Sequence, residues 1–112
     1  MKSRFEIVQD DQGRFSFRLL DADAKVLLSG LPSAGKIAVQ TEVLHARNAV
    51  RAGDRFVPHE DRDGKHFVVL KDRDGSVLAR SPHVADDRRL RDVIARIEEC
   101  APGAPLLDMA RV

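Results

Sequence analysis

The chain repeats itself: sliding its 112 residues over one another by 51 positions brings about ten identical pairs into register. Arg4-Phe5 falls on Arg55-Phe56, Asp10 on Asp61, Gly13 on Gly64, Leu19 on Leu70, Asp21 on Asp72, Asp23 on Asp74, Val26-Leu27 on Val77-Leu78 and Ala34 on Ala85. A period of this length constrains the fold more than composition does, because each copy has to form the same supersecondary unit. The matches are spread along the copy and the polar residues between them vary. What is shared is therefore turns and core.

In the first copy Phe5 and Ile7, and then Phe15, Phe17 and Leu19, alternate with polar neighbours at the period of a half-buried strand. A third strand follows at Val26 to Leu28. Between these runs, Asp10-Asp11-Gln12-Gly13 and Asp21-Ala22-Asp23-Ala24 have the chemistry of tight turns, with Asp bonding its own backbone and Gly taking positive φ. The second copy repeats the meander through Phe56, Asp61 to Gly64, Phe67 to Leu70, Asp72 to Gly75 and Val77 to Ala79. Pro58 marks its first strand as short or at an edge.

Each meander gives way to a period near 3.6. Leu90, Val93, Ile94, Ile97 and Ala101 form one stripe, with Asp86 and Asp87 at its start and Pro102-Gly103 at its stop. The first-copy helix is expected to carry Ser33 as its cap, Val39, Val43, Ala46 and Val50 on the core face with Ile37 and Leu44 beside them, and Gly53 at its end. The fold class is thus α+β, two tandem β-β-β-α units with antiparallel meanders packed as one pseudo-twofold domain. The first repeat covers about residues 4–51 and the second about 55–102, with a tail over 103–112. About 50 residues cannot bury a helix stripe and a sheet face alone, so the copies are expected to share one core.

Two units of this layout resemble the YegP-like family of small, mostly bacterial proteins of unknown function. The carriers are Phe5-Glu6-Ile7, the hairpin of Gly13, Phe15, Phe17 and Leu19, the Val26-Leu27 strand, and the helix ending Ile94, Ile97, Cys100-Ala101-Pro102. Where that family usually has an aromatic and serines before each helix, and a glycine before the helix isoleucine, this chain has Leu31-Pro32-Ser33, Pro82-His83-Val84, Glu42 and Val93. The resemblance implies a fold and a pseudo-twofold. It brings no catalytic residue and no cofactor.

Function classes are narrowed by charge and residue supply. Nineteen Lys and Arg against 18 Asp and Glu leave a net charge of +1, too little for long-range capture of an anionic polymer. A nucleic-acid site would have to be a local patch. Apolar runs such as Val26-Leu27-Leu28 are far below the roughly 20 residues needed to span a bilayer. The lone Cys100 cannot form an internal disulfide and the Met1 to Phe5 start carries no apolar export segment, so a cytoplasmic location is expected. With no Trp, no Tyr and five Phe, the usual residues of interfaces and stacking platforms are scarce.

Several motifs invite a chemistry. Gly30-Leu31-Pro32-Ser33-Ala34-Gly35-Lys36 fits G-x-x-x-x-G-K between strand and helix, making Gly35 and Lys36 candidate phosphate ligands. Ile37 stands where Mg²⁺ needs Ser or Thr, and the second copy has neither Gly nor Lys there. The Asp-rich turns at 61–64 and 72–75 have their glycine at the fourth place, against the sixth of an EF-hand loop, and read as hairpins. His45, His59, His66 and His83 lack zinc-site spacing, although His59 and His66 could face each other across a hairpin. Cys100, at a helix end, reads as a buried inert thiol.

Arg88, Arg89, Arg91 and Arg96 make the second helix arginine-rich, the alternative being a nucleic-acid surface to which Arg73 and Arg80 could add. Asp86, Asp87, Asp92, Glu98 and Glu99 are interleaved with them, as on a solvated helix face. Leu106, Leu107, Met109 and Val112 of the tail could add a strand, pack back or meet a partner. The reading this supports is a non-enzymatic interaction module whose sheet edges offer a route to a homodimer or a protein partner.

Overall fold

Every hairpin is closed by an aspartate that turns the chain back on itself. Asp10 accepts from the backbone N–H groups of Gln12 and Arg14, Asp21 from Asp23 and Lys25, and Asp61 from Asp63 and Lys65, all at 2.9–3.0 Å. The fourth residue of each turn lies at positive φ: Gly13, Gly64 and Gly75, and, at 64°, Ala24. The computed structural model, which describes residues 2–110, runs β1 (Arg4–Gln9), β2 (Phe15–Leu20), β3 (Val26–Gly30), α1 (Lys36–Ala52), β4 (Phe56–Glu60), β5 (His66–Lys71), β6 (Val77–Arg80), α2 (Asp87–Cys100), a 3-10 turn at Ala101–Gly103 and β7 (Leu106–Asp108). The architecture is α+β.

The strands form one seven-stranded sheet in the order β4-β5-β6-β3-β2-β1-β7. Pairings in β1–β2 run from Arg4↔Leu20 to Gln9↔Phe15, and those in β4–β5 from Phe56↔Leu70 to Glu60↔His66. The register slips between Leu19 and Leu20 in β2–β3 and between Leu70 and Lys71 in β5–β6. Short bridges Phe15↔Ser33 and His66↔Val84 extend the ladders toward each helix. All these pairs lie on one offset of 51 residues. At the centre, β3 and β6 pair antiparallel through Ser29↔Arg80.

Both meanders are antiparallel, as expected from sequence, and the whole sheet is mixed because β7, from the tail, runs parallel to β1. An edge strand leaves alternate backbone groups unpaired. The tail pairs them: Phe5 N–H donates to Pro105 O at 2.8 Å and Met109 N–H to Ile7 O at 2.9 Å. Of the tail, Leu106 and Ala110 pack against the core, while Val112 lies outside the described residues. At the opposite edge is β4, the strand interrupted by Pro58.

Alternate residues Phe5, Ile7, Phe17 and Leu19 join Val68 and Leu70 on one side of the sheet, and both helices bury their stripes there in a single cluster. Val39, Val43, Ala46 and Val50 come from α1, and Leu90, Val93 and Ile97 from α2. Ile37 and Leu44 do not join them, being 78% and 58% exposed. At about 100° per residue both positions fall off a stripe that only one helix face can fill. Ser33 is not the α1 cap either: its backbone exchanges two 2.7 Å hydrogen bonds with Phe15, and Gly35 takes the N-cap without a side-chain bond. The α2 cap is Asp86, which accepts from Arg89 N–H at 2.8 Å. Among the described residues no helix is long and apolar enough to cross a membrane.

Candidate functional site

The glycine-rich segment before α1 opens on a residue held by packing. A Cβ on Gly30 would lie 2.5 Å from the Phe17 ring, so only glycine lets β3 pass over that phenyl group. Lys36 Nζ meets Asp108 Oδ2 at 2.8 Å and lies 5.6 Å from the centre of the Phe15 ring. The hydrogen bond from Lys36 holds the Asp108 carboxyl below its ordinary range. The lysine thus fastens β7 to the start of α1, while the space beside Gly35 is open.

The arginines of α2 are mostly answered by acids. Arg89 pairs with Asp86 at 2.6 Å, Arg91 with Asp87 at 3.4 Å, and Arg96 approaches Asp21 at 3.7 Å. Arg88 is exposed and makes no ion pair among the described residues. Three clefts of about 240, 390 and 320 Å³ lie around the helices and turns. Arg89 and Arg96 line the first, with Asp21, Lys25 and Asp92. His45, Arg55 and Asp72 line the second, where His45 Nδ1 is 3.3 Å from Asp72 Oδ2. Each of these two joins a helix to the β-turn of the other half of the chain, whereas the third lies along the start of α2 between Asp86, Arg88, Arg89 and Asp92. Their mixed charges and shallow walls match a surface held together by ion pairs.

The histidines are arranged differently from the sequence expectation. His66 stands opposite Glu60, and His59 opposite Phe67, because the hairpin register pairs residues whose numbers sum to 126. What forms instead is a ring ladder. His59 stacks on Phe67 with centroids 5.2 Å apart and planes 16° apart, and Phe67 stacks on His83 at 4.4 Å and 3°. His83 Nδ1 is 2.6 Å from Asp61 Oδ2, and this hydrogen bond is the main cause holding the Asp61 carboxyl below its usual range. Phe67 and Asp61 are the members that sequence reasoning missed. The usable signal was the alternation His59, Phe67 across a four-residue turn, which puts both rings on one face once the register is known. No group of three or more His, Cys, Asp or Glu side chains suited to a metal ion occurs among the described residues.

The ladder lies on the side of the sheet away from the helices. In register across that side run Val57, Val69, Arg80, Ser29, Arg18, Glu6 and Leu107. Glu6 is almost fully buried, 5% exposed at its side chain, and is gripped by Arg4 at 2.8 Å and by Arg18 through two bonds of 3.0 and 2.8 Å. Burial alone would raise its pKa, but the hydrogen bonds from Arg4 and Arg18 outweigh that and keep the carboxyl below its ordinary value. Arg80 is exposed. Across its middle this face therefore carries three arginines, Arg4, Arg18 and Arg80, and one glutamate, with Asp61 beside His83 at the end of the ladder. Cys100 is half-buried beside the core.

No protein-family model and no curated protein matches the chain. Among solved structures it is similar to the solution NMR structure of yegP from E. coli, a protein of unknown function, with a TM-score of 0.92 at 17% identity over 100% of this chain and 97% of that one. It is also similar to the solution NMR structure of a UPF0339 protein from Shewanella oneidensis, with a TM-score of 0.91 at 15% identity over 98% and 93% of the two chains. At such identities the likeness is one of fold, and neither protein brings an activity. The resemblance read from Phe5-Glu6-Ile7 and the later hairpins is borne out at that level: the chain has the fold of the YegP-like proteins of unknown function.

Proposed function

We propose that this chain is a non-enzymatic binding module of two tandem strand-strand-strand-helix units, related by an approximate twofold and acting as one domain, that meets its partner through the uncovered face of its sheet. The symmetry is supported by the single 51-residue offset of the ladders, and by Ser29↔Arg80, where a residue pairs with its own counterpart. Two further counterparts, Arg96 with Asp21 and His45 with Asp72, pin each helix to the other unit's turn. A break in the chain near Gly53 should unfold both halves. Two separately expressed halves giving dispersed monomeric NMR spectra would contradict a shared core.

The observation that carries the functional reading is the composition of that face: three arginines across its middle and a ring ladder at one end, with no element packed over them among the described residues. A binding surface needs such anchors; a catalytic one needs a concave site with a nucleophile or base aimed into it. Affinity capture from the native host with the unaltered chain and with Arg80→Glu tests this. Loss of one retained species in the variant is expected, and identical captures would sink the reading.

Edge pairing is a second reading, favoured by the free outer side of β4. The registers of β1 and β4 correspond, so Phe56 and Pro58 occupy the outward positions that Phe5 and Ile7 use toward β7. Proline has no N–H to give there, which weakens this edge as a template for a homodimer or a partner strand. Sedimentation equilibrium would detect such a dimer, and Pro58→Val should strengthen it. No association in either protein removes the edge reading.

A further inference from the structure

We infer that the uncovered sheet face binds single-stranded nucleic acid, with His59, Phe67 and His83 stacking bases and Arg80 and Arg18 meeting phosphates; this rests on the binding-module reading above. The rings stand in one row across β4, β5 and the segment after β6, and the arginines stand in another row on the same face. Base stacking on such rings tolerates any sequence, because every base has a π-face. Arg80 and Arg18 are two strands apart, about 10 Å at the usual inter-strand spacing, a distance that one or two nucleotides of backbone can bridge.

The chemistry of the partner follows from three observations. First, none of the three clefts described above is lined by His59, Phe67 or His83, so the ladder stands apart from these concavities, where a small molecule would be enclosed. An extended polymer can use a flat face. Second, protein interfaces are depleted of charge at their centre, whereas here the exposed Arg80 and the half-exposed Arg18 occupy the middle. A polyanion is the complementary partner. Third, the positions 51 residues before the ladder hold Val8, Ser16 and Pro32, in the same register with no aromatic ring among them. The fold forms equally well without the stack, so packing does not account for it.

The site differs from the arginine-rich α2 in its rings and in Arg80, which is exposed and makes no ion pair among the described residues; Arg18 is bonded to Glu6, as Arg89, Arg91 and Arg96 are paired with Asp86, Asp87 and Asp21. It also explains how a chain of net charge +1 could hold an anionic polymer: locally and weakly.

The test uses the full chain and fluorescein-labelled 12-mer oligo-U and oligo-dT, read by fluorescence anisotropy. Two phosphate contacts on a single strand predict a loss of about sevenfold in affinity between 50 and 200 mM salt. His59→Ala, at an exposed position, should weaken binding about fivefold and Phe67→Ala about tenfold or more. Arg80→Ala should weaken it and flatten the salt dependence, while Arg88→Ala with Arg91→Ala on α2 should change little. Unchanged far-UV circular dichroism in His59→Ala and Arg80→Ala keeps the result separate from unfolding. No anisotropy change up to about 0.3 mM protein, or losses caused equally by the α2 variants, would overturn the inference. A protein captured from the host through Arg80, with no oligonucleotide bound, would overturn it and leave the binding module standing.

Discussion

The hairpins β1–β2 and β4–β5 have the same register and fill it in opposite ways. Where the first sets Glu6 against Arg18, the second sets Val57 against Val69, and the residues preceding them are Arg4 and Arg55. One unit holds its outer face with a carboxylate between two guanidinium groups, and the other with a pair of β-branched side chains. Both solutions serve one backbone. The backbone therefore specifies a cross-strand pair at this point, and leaves its chemistry to be chosen for other reasons.

The largest effect should come from breaking the ionic version. Glu6→Ala strands Arg4 in a buried site without its acid and should cost about 3 kcal/mol in urea denaturation. Replacing the pair with its counterpart, Glu6→Val with Arg18→Val, should restore part of that loss: the apolar pair fills the site as Val57 and Val69 do, while Arg4 stays without its acid. If the double variant is as unstable as Glu6→Ala, the two hairpins are not interchangeable. The same carboxylate sets an acid limit. Its folded pKa is below the ordinary 4.5, so its contribution is present above that pH and is lost as the pH falls toward the folded value. Urea midpoints measured from pH 6 down to pH 3 should drop for the natural chain more steeply than for Glu6→Val/Arg18→Val.

A second contrast lies under the helices. Gly30 makes room for the Phe17 ring, whereas the corresponding pair is Ser81 and Val68, with Val68 N–H donating to Ser81 Oγ at 2.9 Å. Gly30→Ser alone should cost about 2 kcal/mol through overpacking. In a Phe17→Val background the serine should cost at least about 1 kcal/mol less, a coupling that a double-mutant cycle measures. Additive costs would mean that the two sites are not in contact.

The turns give a smaller effect of opposite sign. Ala24 holds a φ of 64° where Gly13, Gly64 and Gly75 hold 78° to 86°. An alanine pays for left-handed backbone, so Ala24→Gly should stabilise by up to about 1 kcal/mol and Gly75→Ala should destabilise by a similar amount. A lower melting temperature for Ala24→Gly would contradict this. Smallest of all, Lys36→Ala should speed amide exchange at Leu107 and Met109 while leaving the exchange of β5 unchanged.

Most of the architecture was legible because its signals are local. Alternation gave β1 to β6, Asp and Gly gave the turns, and the Leu90, Val93, Ile97 stripe gave α2. Three features were not. Strand β7 has only three residues, too few for a periodic signal, and its parallel pairing depends on an edge that no local pattern reveals. Ser33 looks like a cap until the distant Phe15 claims its backbone. Leu44 and Ile37 looked like core because hydrophobicity does not report which side of a helix meets the sheet. The ring ladder stayed hidden for a related reason: three residues from three segments become neighbours only when the hairpin register is fixed. Lys36 was legible as a basic residue after glycine, yet its partner Asp108 is 72 residues away.

The pairing of Phe5 with Leu106 joins the first strand to the last one made. During synthesis every other strand and both helices leave the ribosome before β7 does, so β1 spends that interval with its outer backbone groups open to neighbouring nascent chains. Termination between Gly103 and Leu106 should yield a product that keeps most of its core and still aggregates.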